Sequence, residues 1–265
     1  MLPFELLLMD AGSLLAGYVL FRSDKKLSLG YIISQVFGTA LILISFLLRL
    51  TPYEVWGGAI LVVGFLAKLG IFPFLWVHTT ISRSKAIAGL VICSQLSIVL
   101  LISALNRELM NQNALLVFGL FASFFSALSA IYDKKTKSSI ASIIAAQTAS
   151  IFVGLSVVSL VSVFIAVLSD LLAKFTILLS EERKDDIAQI VAAVYLAELP
   201  PFPTFSEEFE IAEMSMSIGV VMNVIGLLMM FALLTHRVKG GKSLGARAVG
   251  AILLVVGVIS LIKKI

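Results

Sequence analysis

Two lysines lie inside long apolar runs, where a charge is costly. Lys68 falls within the run 55–79 and Lys174 within the run 159–180. A charged side chain at the centre of a bilayer costs about 2.5 to 3.5 kcal/mol on insertion scales, so such residues face a protein interior and a partner. These two positions are therefore the first candidates for chemistry.

Carboxylates occur at comparable depth and provide candidate partners. Asp170 and Lys174 are spaced i, i+4, which places them on one face of a helix. Their pairing has two interpretations: a proton-transfer group, or a local ion pair that keeps the helix neutral. Asp10 and Lys68 have no such local partner, and we predict a pair between the first and third helices.

A buried lysine beside a carboxylate provides the physical basis of a proton relay. Desolvation and Coulomb attraction act in opposite directions on the lysine, so its proton affinity changes when the carboxylate moves. Further carboxylates surround the eighth apolar run, at Glu198, Glu207 and Glu208. Glu208 is the candidate for a second protonatable site there. The alternative is a solvated helix end that carries all the glutamates from 207 to 213.

Other polar residues are explained by packing or solvation. His78 and His236 are expected at solvated helix ends, whereas Gln95 and Gln147 could hold water or bond between helices. Cys93 is alone in an apolar run and is expected to be a small buried residue. The sequence shows no zinc spacing, phosphate-binding glycine loop or nucleophile triad, and no cofactor is expected in this chain.

The composition requires lipid as the solvent. Apolar residues make up 60% of the chain and charged residues 14%, and the mean hydropathy is +1.08. Apolar runs of roughly 18 to 25 residues recur along the chain, and each is long enough to cross about 30 Å of hydrocarbon. The sequence predicts an all-α integral membrane protein with a single polytopic domain over residues 1–265. The basic residues lie in short loops and form no extended face, which excludes nucleic acid as a partner.

The pattern predicts ten transmembrane helices. We place them at 3–21, 28–49, 55–79, 86–105, 114–132, 139–156, 159–180, 187–215, 217–236 and 245–262. The resulting loops divide the basic residues fourteen to four between the two sides. The basic side carries Arg22, Lys25, Lys26, Arg83, Lys85, Lys134, Lys135, Lys137, Arg183, Lys184, Arg237, Lys239, Lys242 and Arg247. By the positive-inside rule this side faces the cytoplasm or the mitochondrial matrix.

Two of these helices contain proline at membrane depth. Pro73 interrupts the third, and Pro200, Pro201 and Pro203 interrupt the eighth. Proline removes a backbone donor and breaks the helix, and the two breaks lie five helices apart, in elements of opposite direction. This arrangement predicts an inverted repeat with a site at each broken helix. The alternative is a pair of ordinary proline kinks.

The two proline segments carry a resemblance. Lys68-Leu-Gly-Ile-Phe-Pro-Phe and Leu199-Pro-Pro-Phe-Pro-Thr-Phe resemble motifs of the antiporter-like subunits of respiratory complex I, which are relatives of the multisubunit cation/proton antiporters. The pattern is most similar to subunit 2, the bacterial subunit N. The basic loop that begins at Asp133 is also similar to this family.

The resemblance implies an N-terminally shortened version of a fourteen-helix fold, in which the first helix here matches the family's fifth. Asp10 then occupies the place of an essential glutamate, and Asp10 and Lys68 would form the carboxylate and lysine of a proton half-channel. Gln95 departs from the family, because it stands where a lysine or histidine passes the proton onward. Glu208 replaces the lysine of subunit 2, and the Asp170 and Lys174 spacing is similar to a histidine and lysine of subunit 5.

The expected function is that of a membrane-arm subunit of proton-pumping NADH:ubiquinone oxidoreductase. Flavin, iron–sulfur clusters and quinone would belong to partner subunits, and the expected location is the mitochondrial inner membrane, or else a prokaryotic cytoplasmic membrane. Three alternatives stay open: a cation/proton antiporter subunit, a structural subunit that no longer pumps, and an unrelated transporter.

The ten-helix arrangement makes a prediction about sidedness. Lys134 and Lys137 should react with a membrane-impermeant amine reagent from one side only, because their loop lies on the basic side. Mass spectrometry of labelled sealed vesicles measures this, and Lys263 serves as the control for the opposite side. Labelling of Lys263 from the side that labels Lys137 would contradict the ten-helix count.

Overall fold

The computed structural model describes residues 3–133, 135–156 and 159–183, and residues 221–232 except 223 and 230. The described residues are helical and contain no β-strand. The helices are α1 (Pro3–Ser23), α2 (Lys25–Arg49), α3 (Glu54–Leu69), α4 (Trp76–Arg83), α5 (Ala86–Leu105), α6 (Gln112–Tyr132), α7 (Thr136–Gly154) and α8 (Leu160–Arg183), with a 3₁₀ turn at Arg107–Leu109.

The seven predicted segments that fall in this region are helical, with shifts of a few residues at their ends. The predicted span 55–79 is divided into α3 and α4, as its proline motif indicated. The three remaining predicted helices and the second proline segment lie outside the described residues, apart from the part of 221–232 given above. The proposed inverted repeat therefore stays a prediction.

Five of the described helices are long and apolar enough to cross a membrane: α1, α2, α5, α6 and α8. Their outward faces carry large exposed apolar side chains such as Leu7, Val36 and Phe121, as expected of surfaces that face lipid. Helix α7 is more polar, but its residues from Ser139 to Gly154 are all buried within the protein. The class predicted from the sequence, an all-α membrane protein, is confirmed.

The break between α3 and α4 is built around Gly70. This residue ends α3 in the left-handed conformation, with φ of 62°, and a Cβ atom there would lie 2.0 Å from the Trp76 ring. The Trp76 indole N–H donates to the carbonyl of Ala67 at 2.7 Å, which satisfies one carbonyl freed by the break. The Val77 N–H donates to the Gly70 carbonyl at 3.1 Å, so α4 begins where α3 ends.

Helix α2 packs closely against α3 and leaves room for the Lys68 side chain. A Cβ atom at Gly38 of α2 would lie 2.8 Å from Cγ of Lys68 and 3.1 Å from its backbone nitrogen. Small residues at such contacts let two transmembrane helices approach closely. Gly38 therefore permits the lysine stem to pass between the helices.

Gly70→Ala should destabilise the protein by at least about 1–2 kcal/mol, the usual cost of a left-handed L-residue, because the new methyl group also meets Trp76. Thermal unfolding in detergent measures the change. Gly30→Ala is the matched control, since nothing lies within 4 Å of a Cβ at that position, and alanine is favoured in a helix by about 1 kcal/mol. Equal stability of the Gly70 variant and the wild type would contradict this account of the break.

Candidate functional site

The side chain of Lys68 reaches from the last turn of α3 to Asp10 on α1. Its ammonium group donates to Oδ1 of Asp10. The lysine side chain is 0% exposed, whereas the aspartate side chain is 37% exposed. The predicted pair between the first and third helices is thus present. The lysine side chain is buried, and the aspartate side chain is partly exposed.

Helix α2 holds both residues of this pair in place. The Thr39 hydroxyl donates to the same Asp10 oxygen at 2.8 Å. One turn away, the Gln35 amide donates to the backbone carbonyl of Lys68 at 3.1 Å. This carbonyl lies next to the break in α3, where a carbonyl loses its helical partner and would otherwise be left unsatisfied at membrane depth.

A second set of hydrogen bonds ties α5 to the same site. Ser13 Oγ on α1 donates to Oε1 of Gln35 at 2.8 Å. The Gln95 amide on α5 donates to Ser13 Oγ at 2.9 Å and to the Met9 carbonyl at 2.8 Å. Gln95 is an amide, so in this place it orients α1 rather than carrying a proton. A hydrogen-bonded network of side chains therefore surrounds the ion pair.

A cavity of about 370 Å³ lies between α1 and α2, with Asp10 in its wall. Ser13, Gln35 and Thr39 also line it, and the remaining lining residues are apolar. This space is an open groove, because Leu14, Val36 and Leu43 in its wall are exposed, and most of its lining is apolar. Asp10 is the charged group in the wall, while the lysine behind it is buried.

This geometry couples the protonation states of two groups. Each charge of the Asp10 and Lys68 pair stabilises the other, because their attraction is strong where water is excluded. The two groups are joined by a direct hydrogen bond from the ammonium to the carboxylate. The pair thus brings a buried ammonium donor into direct contact with a partly exposed carboxylate acceptor.

The second predicted pair is also present. Lys174 Nζ lies 2.6 Å from Oδ2 of Asp170, and both side chains are 0% exposed. The ammonium also donates to the Thr148 hydroxyl on α7 at 2.7 Å. The pair is fully enclosed, and its two residues lie one turn apart on α8. This geometry fits both interpretations given by the sequence, a local ion pair and a proton-transfer group.

The remaining candidates, Glu198, Glu207 and Glu208, lie outside the described residues. The sequence analysis did not identify Ser13, Gln35 and Thr39 as part of the site. Gln35 and Thr39 are four residues apart inside an apolar run, so they lie on one face of the predicted transmembrane helix. This polar face could have indicated that α2 contributes to the site.

Comparison with solved structures gives a fold neighbour. A chain of the Mrp complex from Dietzia sp. DQ12-45-1b matches with a TM-score of 0.66 and 13% sequence identity, covering 80% of this chain and 50% of that chain. At this identity the similarity shows the fold alone. No protein-family model matches the sequence, and no curated protein matches it. The chain thus shares its fold with that chain of the Mrp complex and spans half of its length.

The enclosed pair on α8 predicts an asymmetric response to mutation. Lys174→Met should destabilise the protein by about 3–5 kcal/mol, because Asp170 would be left as an unpaired buried charge. Replacing both residues, Asp170→Leu with Lys174→Met, should restore stability to near wild type or above it. Thermal unfolding in detergent compares the variants, with Leu172→Met on the exposed face of α8 as control. A single variant as stable as the wild type would show that the pair is not a buried charge pair.

Proposed function

We propose that this chain is an antiporter-like subunit of a multisubunit membrane complex and that the Asp10 and Lys68 pair carries protons in one half-channel. The observation that carries this proposal is a sealed lysine, at the break of a transmembrane helix, bonded to a half-exposed carboxylate that lines a cavity. Intramembrane ionisable pairs of this kind mark proton and ion pathways. The sequence motif around Lys68 and the shared fold both support this proposal.

The complex we favour is proton-pumping NADH:ubiquinone oxidoreductase. In this proposal the chain performs no redox chemistry, and flavin, iron–sulfur clusters and quinone are held by partner subunits. The support comes from the Lys68-Leu-Gly-Ile-Phe-Pro-Phe motif and from the position of Asp10 relative to it. The location would be a mitochondrial inner membrane or a prokaryotic cytoplasmic membrane.

A cation/proton antiporter complex is the second candidate, and the fold neighbour from the Mrp complex favours it. The two candidates use one fold and differ in their partners. Mild detergent extraction followed by mass spectrometry of the intact assembly separates them. Flavin and iron–sulfur subunits in the assembly favour the first candidate, and only further antiporter subunits favour the second.

Lys68→Met and Asp10→Asn should each slow proton translocation on the order of 10²-fold, the lower range for loss of a positioned proton-transfer group. The complex should still assemble, because the partner left behind need not stay as a buried unpaired charge: Asp10 is partly exposed, and a buried lysine without its carboxylate can lose its proton. Translocation is measured with a pH-sensitive dye in sealed vesicles that contain the whole complex. Lys25→Ala, an exposed lysine at the start of α2, is the control and should behave as wild type. Wild-type translocation in both site variants would favour the structural subunit that no longer pumps.

A further inference from the structure

The groove between α1 and α2 contains a hydrogen-bond acceptor with spare capacity. The ammonium of Lys68 and the hydroxyl of Thr39 both donate to Oδ1 of Asp10. The other carboxylate oxygen, Oδ2, accepts no hydrogen bond from the described residues. The Asp10 side chain is 37% exposed and forms part of the groove wall. Each oxygen of a carboxylate can accept hydrogen bonds, so Oδ2 can accept one from a molecule in the groove.

The rest of the groove wall is mainly apolar. Its apolar residues are Leu14 on α1 and Ile32, Val36, Ala40 and Leu43 on α2. Ile32 and Leu43 are eleven residues apart, which is about 16 Å along the helix at a rise of about 1.5 Å per residue. The volume of about 370 Å³ lies within the range of about 300–1,000 Å³ that is usual for small-molecule sites. Such sites combine an apolar lining with a few polar groups, and this groove has the same composition.

The charges already present decide which head group a ligand can bring. Lys68 neutralises Asp10, so a ligand ammonium would add a second positive charge at membrane depth, where an uncompensated charge is costly. An anionic head group would instead meet the negative charge of Asp10 and be repelled. An uncharged head group avoids both costs.

The hydroxyl groups of the wall favour a ligand that donates a hydrogen bond. The Thr39 hydroxyl donates to Asp10, and the Ser13 hydroxyl donates to Oε1 of Gln35. Each hydroxyl has a single hydrogen, so neither is available to a carbonyl or ether oxygen of a ligand. A ligand hydroxyl can donate to Oδ2 of Asp10, and a hydrogen bond to an ionised acceptor is stronger than one between neutral groups.

We propose that this groove binds an uncharged, mainly apolar molecule that carries one hydroxyl group. The hydroxyl donates to Oδ2 of Asp10. The apolar body lies along α2 toward Ile32, because the wall extends seven residues from Thr39 in that direction and four residues toward Leu43. This inference goes beyond the proposed function, since binding needs the carboxylate and the groove but no proton transfer. An acyl chain of a bilayer lipid fits the apolar wall without using the carboxylate, and it is the alternative that the experiment separates.

Photolabelling with two probes that differ only in the donor tests this site. Octanol with a diazirine group on its chain, and the methyl ether of the same molecule, are added to vesicles that contain the whole complex. Mass spectrometry then maps the labelled residues. The alcohol should label Leu14 and Val36 on the order of 10-fold more than the ether does, the lower range for a hydrogen bond to a charged group. Phe121, an exposed residue of α6, is the reference for the amount of each probe in the bilayer.

Three variants connect the labelling to the site. Asp10→Asn should remove most of the preference for the alcohol, because the amide oxygen carries no charge. Ala40→Phe should reduce labelling of Leu14 by both probes, because the ring fills the groove and leaves the carboxylate unchanged. Ala11→Phe is the matched control, since Ala11 is an exposed alanine of α1 outside the groove wall, and labelling should stay as in the wild type. If Asp10→Asn does not assemble, Ala40→Phe decides, and an undiminished alcohol signal there overturns the site.

The outcomes that contradict this inference differ from those that contradict the proposed function. Equal labelling of Leu14 and Val36 by the alcohol and the ether would overturn it and assign the groove to acyl chains. Labelling of Phe121 without labelling of the groove would also overturn it, because protein would then cover the groove. An unchanged preference in Asp10→Asn would show that Oδ2 is not the acceptor. The proposed function fails instead on wild-type translocation in Lys68→Met, which this labelling does not measure.

Discussion

The ammonium group of Lys68 is buried, and several neighbouring side chains compensate for the cost of burying this charge. Asp10 neutralises it, and Thr39 fixes the carboxylate. Gln35 satisfies the lysine's own carbonyl at the point where α3 ends. If any partner were missing, a polar group would remain unpaired at membrane depth, which costs several kcal/mol. The helix break and the ion pair therefore depend on each other, because Lys68 takes part in both.

The two ion pairs differ in a way that matters for mechanism. Asp170 and Lys174 belong to a single helix, so no movement between helices can separate them. Asp10 and Lys68 belong to α1 and α3, and a small shift of either helix changes the distance between their charges. A switch needs an element with two arrangements, and a contact between two helices, unlike one within a single helix, changes when the helices move. The pair between helices is consequently the better candidate for coupling charge to movement.

A shared fold does not establish a shared activity, because function resides in the residues of the site. The fold neighbour has 13% identity and a chain twice as long as the matched region, so the argument for proton transfer depends on Lys68 and its surroundings. The discontinuous helix supplies the position, and the groove beside Asp10 leaves its carboxylate partly exposed. The contact of His78 with Asp133 adds a second titratable cluster on the basic side of the same break.

The sequence by itself determined the class, the positions of the helices within the described residues and the two lysine–carboxylate pairs, since the cost of burying charge in lipid leaves few alternatives for Lys68 and Lys174. It also located the break at Pro73. Only the tertiary structure decided that Asp10 stays half open while Lys68 is sealed, that α2 supplies Gln35 and Thr39, and that His78 meets Asp133. Exposure and contacts between distant helices depend on how the faces of several helices pack, and a single helical period does not encode this.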